Sequence, residues 1–111
     1  MNSIRFCVLP VSDVDTSRAF YAALGCVERG VDGDRWAGVS SDHVALSLCG
    51  PTDPKRPAQP AFAVLVDDLP AALAQALAAG GRALPDPDGH VRLTDPDGNH
   101  VMLIERGTPS G

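Results

Sequence analysis

Aromatic residues make up only 5% of the 111-residue chain, with one tryptophan, Trp36, one tyrosine and three phenylalanines. A core built on stacked rings is therefore excluded, and aliphatic packing must supply most of the burial. Basic clusters are missing as well. Nine Lys and Arg stand against fourteen Asp and Glu, a formal net charge of -5, and the basic residues are spread along both halves. Phosphate-backbone binding needs a concentrated positive surface, so nucleic acid is excluded as a partner. No apolar run approaches the ~18 residues of a membrane span, and the start, "MNSIRFCVLPV", lacks a signal-peptide core. The three cysteines, Cys7, Cys26 and Cys49, have no CxxC spacing and read as reduced thiols, which places the expected site of action in the cytoplasm. Also missing are a phosphate loop, a nucleophile elbow and an HExxH helix.

What the chain does contain is a repeat of architecture. "IRFCVLPV" followed by "SDVDTSRAFYAALG" reads as a strand, an acidic cap, a helix and a glycine stop. "AFAVLV" followed by "DDLPAALAQALAAGG" repeats that order. Three short strands follow each helix, at about 26–32, 34–39 and 43–49, then at 81–84, 90–94 and 99–105. The periodicity predicts buried helical stripes of Ala19, Phe20, Ala23 and Leu24 in the first copy, and of Leu69, Leu73, Ala76 and Leu77 in the second. Between the copies, "GPTDPKRPAQP" places proline at every third position, the period of a polyproline II spacer. The expected organisation is a single α+β domain of residues 1–111. Its first βαβββ module is 1–49, its linker 50–60 and its second module 61–106, with paired cupped mixed sheets around an open pocket.

The segment "DPDGHVRLTDPDGNH" writes DPDG twice and raises the question of a cation site. A calcium loop of the EF-hand type wants glycine at its sixth position, glutamate at its twelfth and flanking helices. Glycine here falls fourth, Arg106 takes the twelfth place counted from Asp95, and the flanks read as strands. Turn chemistry accounts for each residue instead: proline presets φ, aspartate tolerates the turn, and glycine supplies positive φ.

"VSDVDTSRAFYAALG" and "DPDGNHVMLIE" resemble the first-helix and closing-hairpin signatures of the vicinal oxygen chelate superfamily, which includes glyoxalases, dioxygenases and bleomycin-resistance proteins. The resemblance spans nearly the whole chain. It implies the paired-module fold and, in metal-using members, four His or Glu ligands from four strands that hold a Lewis-acidic ion. Spacing from the motifs puts those positions on Phe6, Leu46 (or its neighbour Ala45), Ala61 and Met102. All are apolar, and none offers the hard oxygen or imidazole donor such an ion takes, so no metal and no cofactor is expected. The resemblance then implies the superfamily's metal-free antibiotic-binding members: homodimers that sequester an aromatic or cationic small molecule. The other reading it leaves open is a lyase, isomerase or cyclase that works without the metal.

Strand alternation puts Phe6 and Val8 on one face and Cys7 and Leu9 on the other. Phe6, Val8, Leu46, Ala61 and Met102 either floor a dry ligand pocket or fill the space as core. Trp36 either stacks on a ligand or joins a core or dimer contact. His100 shares the face of Met102, and Arg92 lies opposite Val91 and Leu93, so these two are the candidate polar or acid–base groups. His43 and His90 match no ligand spacing.

Overall fold

The structure is a computed structural model, and it describes residues 2–107; residues 1 and 108–111 of the expected domain lie outside the described residues. The order of elements is β1 (Ser3–Pro10), α1 (Val14–Ala23), β2 (Val27–Asp32), β3 (Trp36–Ser40), β4 (Ala45–Cys49), β5 (Ala61–Val66), α2 (Leu69–Ala78), β6 (Arg82–Leu84), β7 (Val91–Thr94) and β8 (His100–Glu105). The fold is mixed α+β, and βαβββ occurs twice. The chain divides into two compact units. One is Phe6–Pro60; the other is Ala61 onward with the N-terminal residues through Arg5.

Acidic caps start both helices. Asp13 accepts hydrogen bonds from the N–H groups of Asp15 and Thr16, at 3.0 and 3.3 Å. Asp68 accepts one from Ala71 N–H at 3.1 Å, and Glu105 reaches across from β8 to accept Leu69 N–H at 2.9 Å. These carboxylates satisfy amides that have no partner within the helix and lie favourably at the positive end of its dipole. Gly25 and Gly80, at φ 94° and 106°, take the left-handed turn that follows each helix.

In the first unit the strand order is β2-β3-β4-β1, with β1 parallel to β4 and the other pairs antiparallel. One face packs α1. Val14, Ala37, Val39 and Leu48 form the buried cluster, with Leu9, Val11, Tyr21, Cys26 and Leu46 against it. The expected α1 stripe is corrected here. Ala19, Phe20, Ala23 and Leu24 all face outward, and the helix buries Val14 and half-buries Tyr21 instead. Two apolar rows run along α1, and the Val14 row is the one in register with the β3 and β4 side chains.

In the second unit the order is β5-β8-β7-β6, with β5 parallel to β8. Val66, Leu93 and Leu103 form its cluster beneath Leu69, Ala72, Leu73 and Ala76 of α2. Leu77, expected in the stripe, is 41% exposed. Residues 50–60 form turns rather than an extended rod: Asp53 N–H donates to Gly50 O, Arg56 N–H donates to Asp53 O, and Asp53 and Pro57 are buried.

Both DPDG segments are turns of one design. Asp88 N–H donates to Asp86 Oδ1 at 2.8 Å, and Asp97 and Asn99 N–H both donate to Asp95 Oδ1 at 2.9 Å. Gly89 and Gly98 follow at φ 82° and 91°. The aspartates serve as side-chain mimics of a backbone acceptor. No helix among the described residues is long and apolar enough to cross a membrane.

Leu48 has no exposed surface and belongs to the α1 cluster. Leu48→Ala is expected to lower unfolding stability by about 2–5 kcal/mol, read as a shift in the urea midpoint at unchanged slope.

Candidate functional site

Each unit has one sheet face covered by its helix and one that is not. Register fixes which side chains lie on the helix-free face. In the first unit Val8 pairs with Ser47, Ser47 with Gly38, and Cys49 with Trp36, so these residues share that side with Phe6. Leu46 points the other way, into the α1 cluster, and its neighbour Ala45 takes the helix-free position. Of the two positions the sequence left open, Ala45 is thus the one on the helix-free face, because a shift of one residue reverses the face.

Trp36 is placed by two absences. Gly38 and Gly30 have no side chain, and the indole lies over both. A Cβ at Gly38 would stand 2.9 Å from Trp36 Cη2, and one at Gly30 would stand 3.3 Å from Cζ3. The ring is pinned by its N–H, which donates to Ser47 Oγ at 2.5 Å diagonally across the β3–β4 pair. Trp36 is half-buried and belongs to neither core cluster. A flat ring bedded on backbone and held in one rotamer is a platform for a second flat group.

In the second unit Ala61 pairs with His100, Ala63 with Met102, Arg92 with Met102 and Thr94 with His100, so all of these share the helix-free face. Val8, Ala61 and Met102 are closed to water at 2%, 5% and 4% exposure; Phe6, Trp36, Arg92 and His100 are half-buried. The Arg92 Nε donates to Asp86 Oδ2 at 2.5 Å, and the Asp86 side chain is 4% exposed. Burial pushes the Asp86 carboxyl up, but the Arg92 guanidinium, the Asp88 N–H and the neighbouring His90 outweigh it and hold the group below the usual carboxylate range. Sequence reasoning missed this pair, which joins the first DPDG turn to β7; the only signal was the six-residue separation of an acid and a base around a turn.

Asp86, Asp88 and His90 are the one group of metal-type donors within 4.8 Å of one another among the described residues. The Arg92 guanidinium already sits on Asp86 Oδ2, where a cation would have to compete with it. The positions where the sequence resemblance leads one to expect metal ligands, Phe6, Leu46 or Ala45, Ala61 and Met102, carry no oxygen or imidazole donor. Glu105, the one carboxylate in β8, is committed to the α2 N-terminus. His43 lies exposed in the turn before β4.

A glyoxalase-like domain family model matches residues 6–104, and the chain belongs to that family. An uncharacterized protein of Mycolicibacterium smegmatis is 29% identical over 107 residues, covering 92% of each chain. Among solved structures, a hypothetical protein of Bacillus halodurans superposes with a TM-score of 0.73 at 13% identity, covering 99% of this chain and 98% of that one. A glyoxalase/bleomycin resistance protein/dioxygenase superfamily member from Vibrio splendidus superposes with a TM-score of 0.65 at 16% identity, covering 93% and 99%. The fold is therefore that of the glyoxalase/bleomycin-resistance/dioxygenase superfamily.

Two predictions follow from the geometry. Gly38→Ala is expected to lift the indole off its bed, giving a changed near-ultraviolet circular dichroism band and a red-shifted emission while the far-ultraviolet spectrum is kept. Because the folded Asp86 carboxyl titrates below its unfolded value of about 3.9, its contribution is complete above that pH and is lost as pH falls through the folded value. Urea midpoints between pH 7 and 3 should fall more steeply for the natural chain than for Asp86→Asn.

Proposed function

We propose that this chain is a small-molecule binding protein of the glyoxalase/bleomycin-resistance type, working as a homodimer and without a metal. Its ligand is a planar, aromatic antibiotic or metabolite, and it is sequestered rather than converted. The observation that carries this reading is the Trp36 platform: an indole laid on Gly30 and Gly38, fixed by Ser47, and left out of both cores. A ring held in one orientation loses little further freedom when a ligand stacks on it. Phe6 and Val8 add apolar surface from β1 on the same side of that unit, and in the other unit Ala61 and Met102 are closed to water on its helix-free face. Arg92 and His100 add polar contacts on the helix-free face of the second unit. The acidic balance of the chain favours a cationic ligand over an anionic one.

The apolar side chains at the expected metal positions support sequestration over chemistry, since two adjacent substrate oxygens would meet carbon there instead of a Lewis acid. Turnover by His100 and Arg92 would require them to act as acid or base on the bound ligand. The Asp86 pair instead ties the Arg92 guanidinium to the protein.

Trp36 is the only tryptophan, so its emission reports the site without background. Titration with metal-free bleomycin, whose bithiazole is planar and whose tail is cationic, is expected to quench that emission saturably. Anilinonaphthalene sulfonate, planar but anionic, should bind at least about tenfold more weakly, roughly 1.4 kcal/mol. His100→Ala should weaken bleomycin binding less than Trp36→Ala, which, followed by calorimetry, should abolish it. An unchanged affinity in Trp36→Ala would remove the platform from the site.

A further inference from the structure

The outer side of the first unit carries apolar surface that its own core leaves uncovered. On α1, Phe20 is 59% exposed and Leu24 67%; beyond the helix, Val27 at the start of β2 is 52% exposed. Phe20 and Leu24 are four residues apart and so stand on one helix face. Leu24 and Val27, with Gly25, Arg29, Ser40, Ser41 and Asp42, line a cavity of about 420 Å³. The patch therefore holds a projecting ring and an open hollow side by side. Phe20 does not lie down into that hollow. Its ring meets Tyr21 edge-on, with centroids 5.1 Å apart and planes at 88°, and Tyr21 is anchored on the α1 core cluster.

We infer that this face is the surface through which two copies of the chain associate, with Phe20 of each copy seated in the Leu24–Val27 hollow of the other. This names the surface for the homodimer of the preceding proposal and rests on that half of it. A knob and a hole on the same patch are what a twofold contact requires, because the patch must be complementary to itself. Charge obeys the same rule. Arg29, held on the rim by its Nε bond to Ser40 Oγ at 2.7 Å, and Asp42 line the same hollow, so a twofold axis can set each against its opposite. The hollow itself is mostly polar, with Leu24 and Val27 as its apolar edge, so the contact pairs an aromatic anchor with that edge and sets charged and hydroxyl groups around it. Strand addition at the β2 edge is disfavoured, because its pairing with β3 is interrupted by an irregularity between Glu28 and Gly30 that blunts the edge. The contact is one of side chains.

Sedimentation velocity over a concentration series tests this with the full chain. The natural protein is expected to sediment as a dimer, and Phe20→Glu and Leu24→Glu are each expected to weaken association by at least about tenfold. Both positions are exposed, so far-ultraviolet circular dichroism and the urea midpoint of the monomer should be unchanged. Arg29→Asp alone should weaken the dimer, and Arg29→Asp combined with Asp42→Arg should restore it. Ile4→Glu, at an apolar position that is 68% exposed in the other unit, is the control and should leave association intact. A natural chain that stays monomeric overturns both this surface and the homodimer. A dimer that survives Phe20→Glu and Leu24→Glu but is lost in Ile4→Glu keeps the homodimer and overturns this surface.

Discussion

One helix can cover only one face of a four-stranded sheet. Each unit of this chain has a single ten-residue helix, and each therefore buries half of its sheet's side chains beneath that helix and leaves the other half to a different use. The period of two along a strand sorts the residues between these fates, except where β2 is interrupted between Glu28 and Gly30. Leu9, Leu46 and Leu48 belong to α1, and Val8, Ser47 and Trp36 do not. Val64, Val66 and Leu103 belong to the α2 side, and Ala63, Met102 and Arg92 do not. The proposed ligand site uses this helix-free side, so its side chains carry the functional argument.

On that side this chain presents apolar side chains at the expected metal positions and glycine beneath Trp36. A hard divalent ion needs oxygen or imidazole donors at fixed distances, and Phe6, Ala45, Ala61 and Met102 supply none. Gly30 and Gly38 instead remove side chains from β2 and β3 so that one indole can lie flat on the backbone. Restoring a single methyl at Gly38 would cost the ring its bed, since an indole has no flexible end with which to move aside. In the second unit, the part-buried ion pair of Asp86 and Arg92 fastens the first DPDG turn to β7. Breaking such a pair from one side leaves an uncompensated buried charge, which is why a turn residue can matter as much as a core leucine.

The sequence made much of this legible, and its failures have physical causes. Strand and helix positions were readable because caps, glycine stops and turn residues act locally, and the Asx turns at Asp86 and Asp95 are the clearest case. The buried row of α1 was not readable. Val14 and Tyr21 form one apolar row, Phe20 and Leu24 another, and only tertiary register chooses between them. Leu46 was misplaced by one residue for a related reason: "VALSL" alternates weakly, and nothing local marks which of Ala45 and Leu46 faces the helix. The Asp86–Arg92 pair depends on how a turn folds back on a strand, which spacing alone does not give. Trp36 was visible as a lone tryptophan, but its bed of two glycines becomes meaningful only once β2 and β3 are paired.

The central claim is that the helix-free faces hold an organic ligand where relatives of the metal-using kind hold an ion. Native mass spectrometry of the chain purified without a metal-affinity tag tests it most directly. The account predicts a dimer of 11.5 kDa subunits with no bound metal, and with any co-purified mass being organic. One tightly held divalent ion per subunit, retained through buffer exchange, would contradict it.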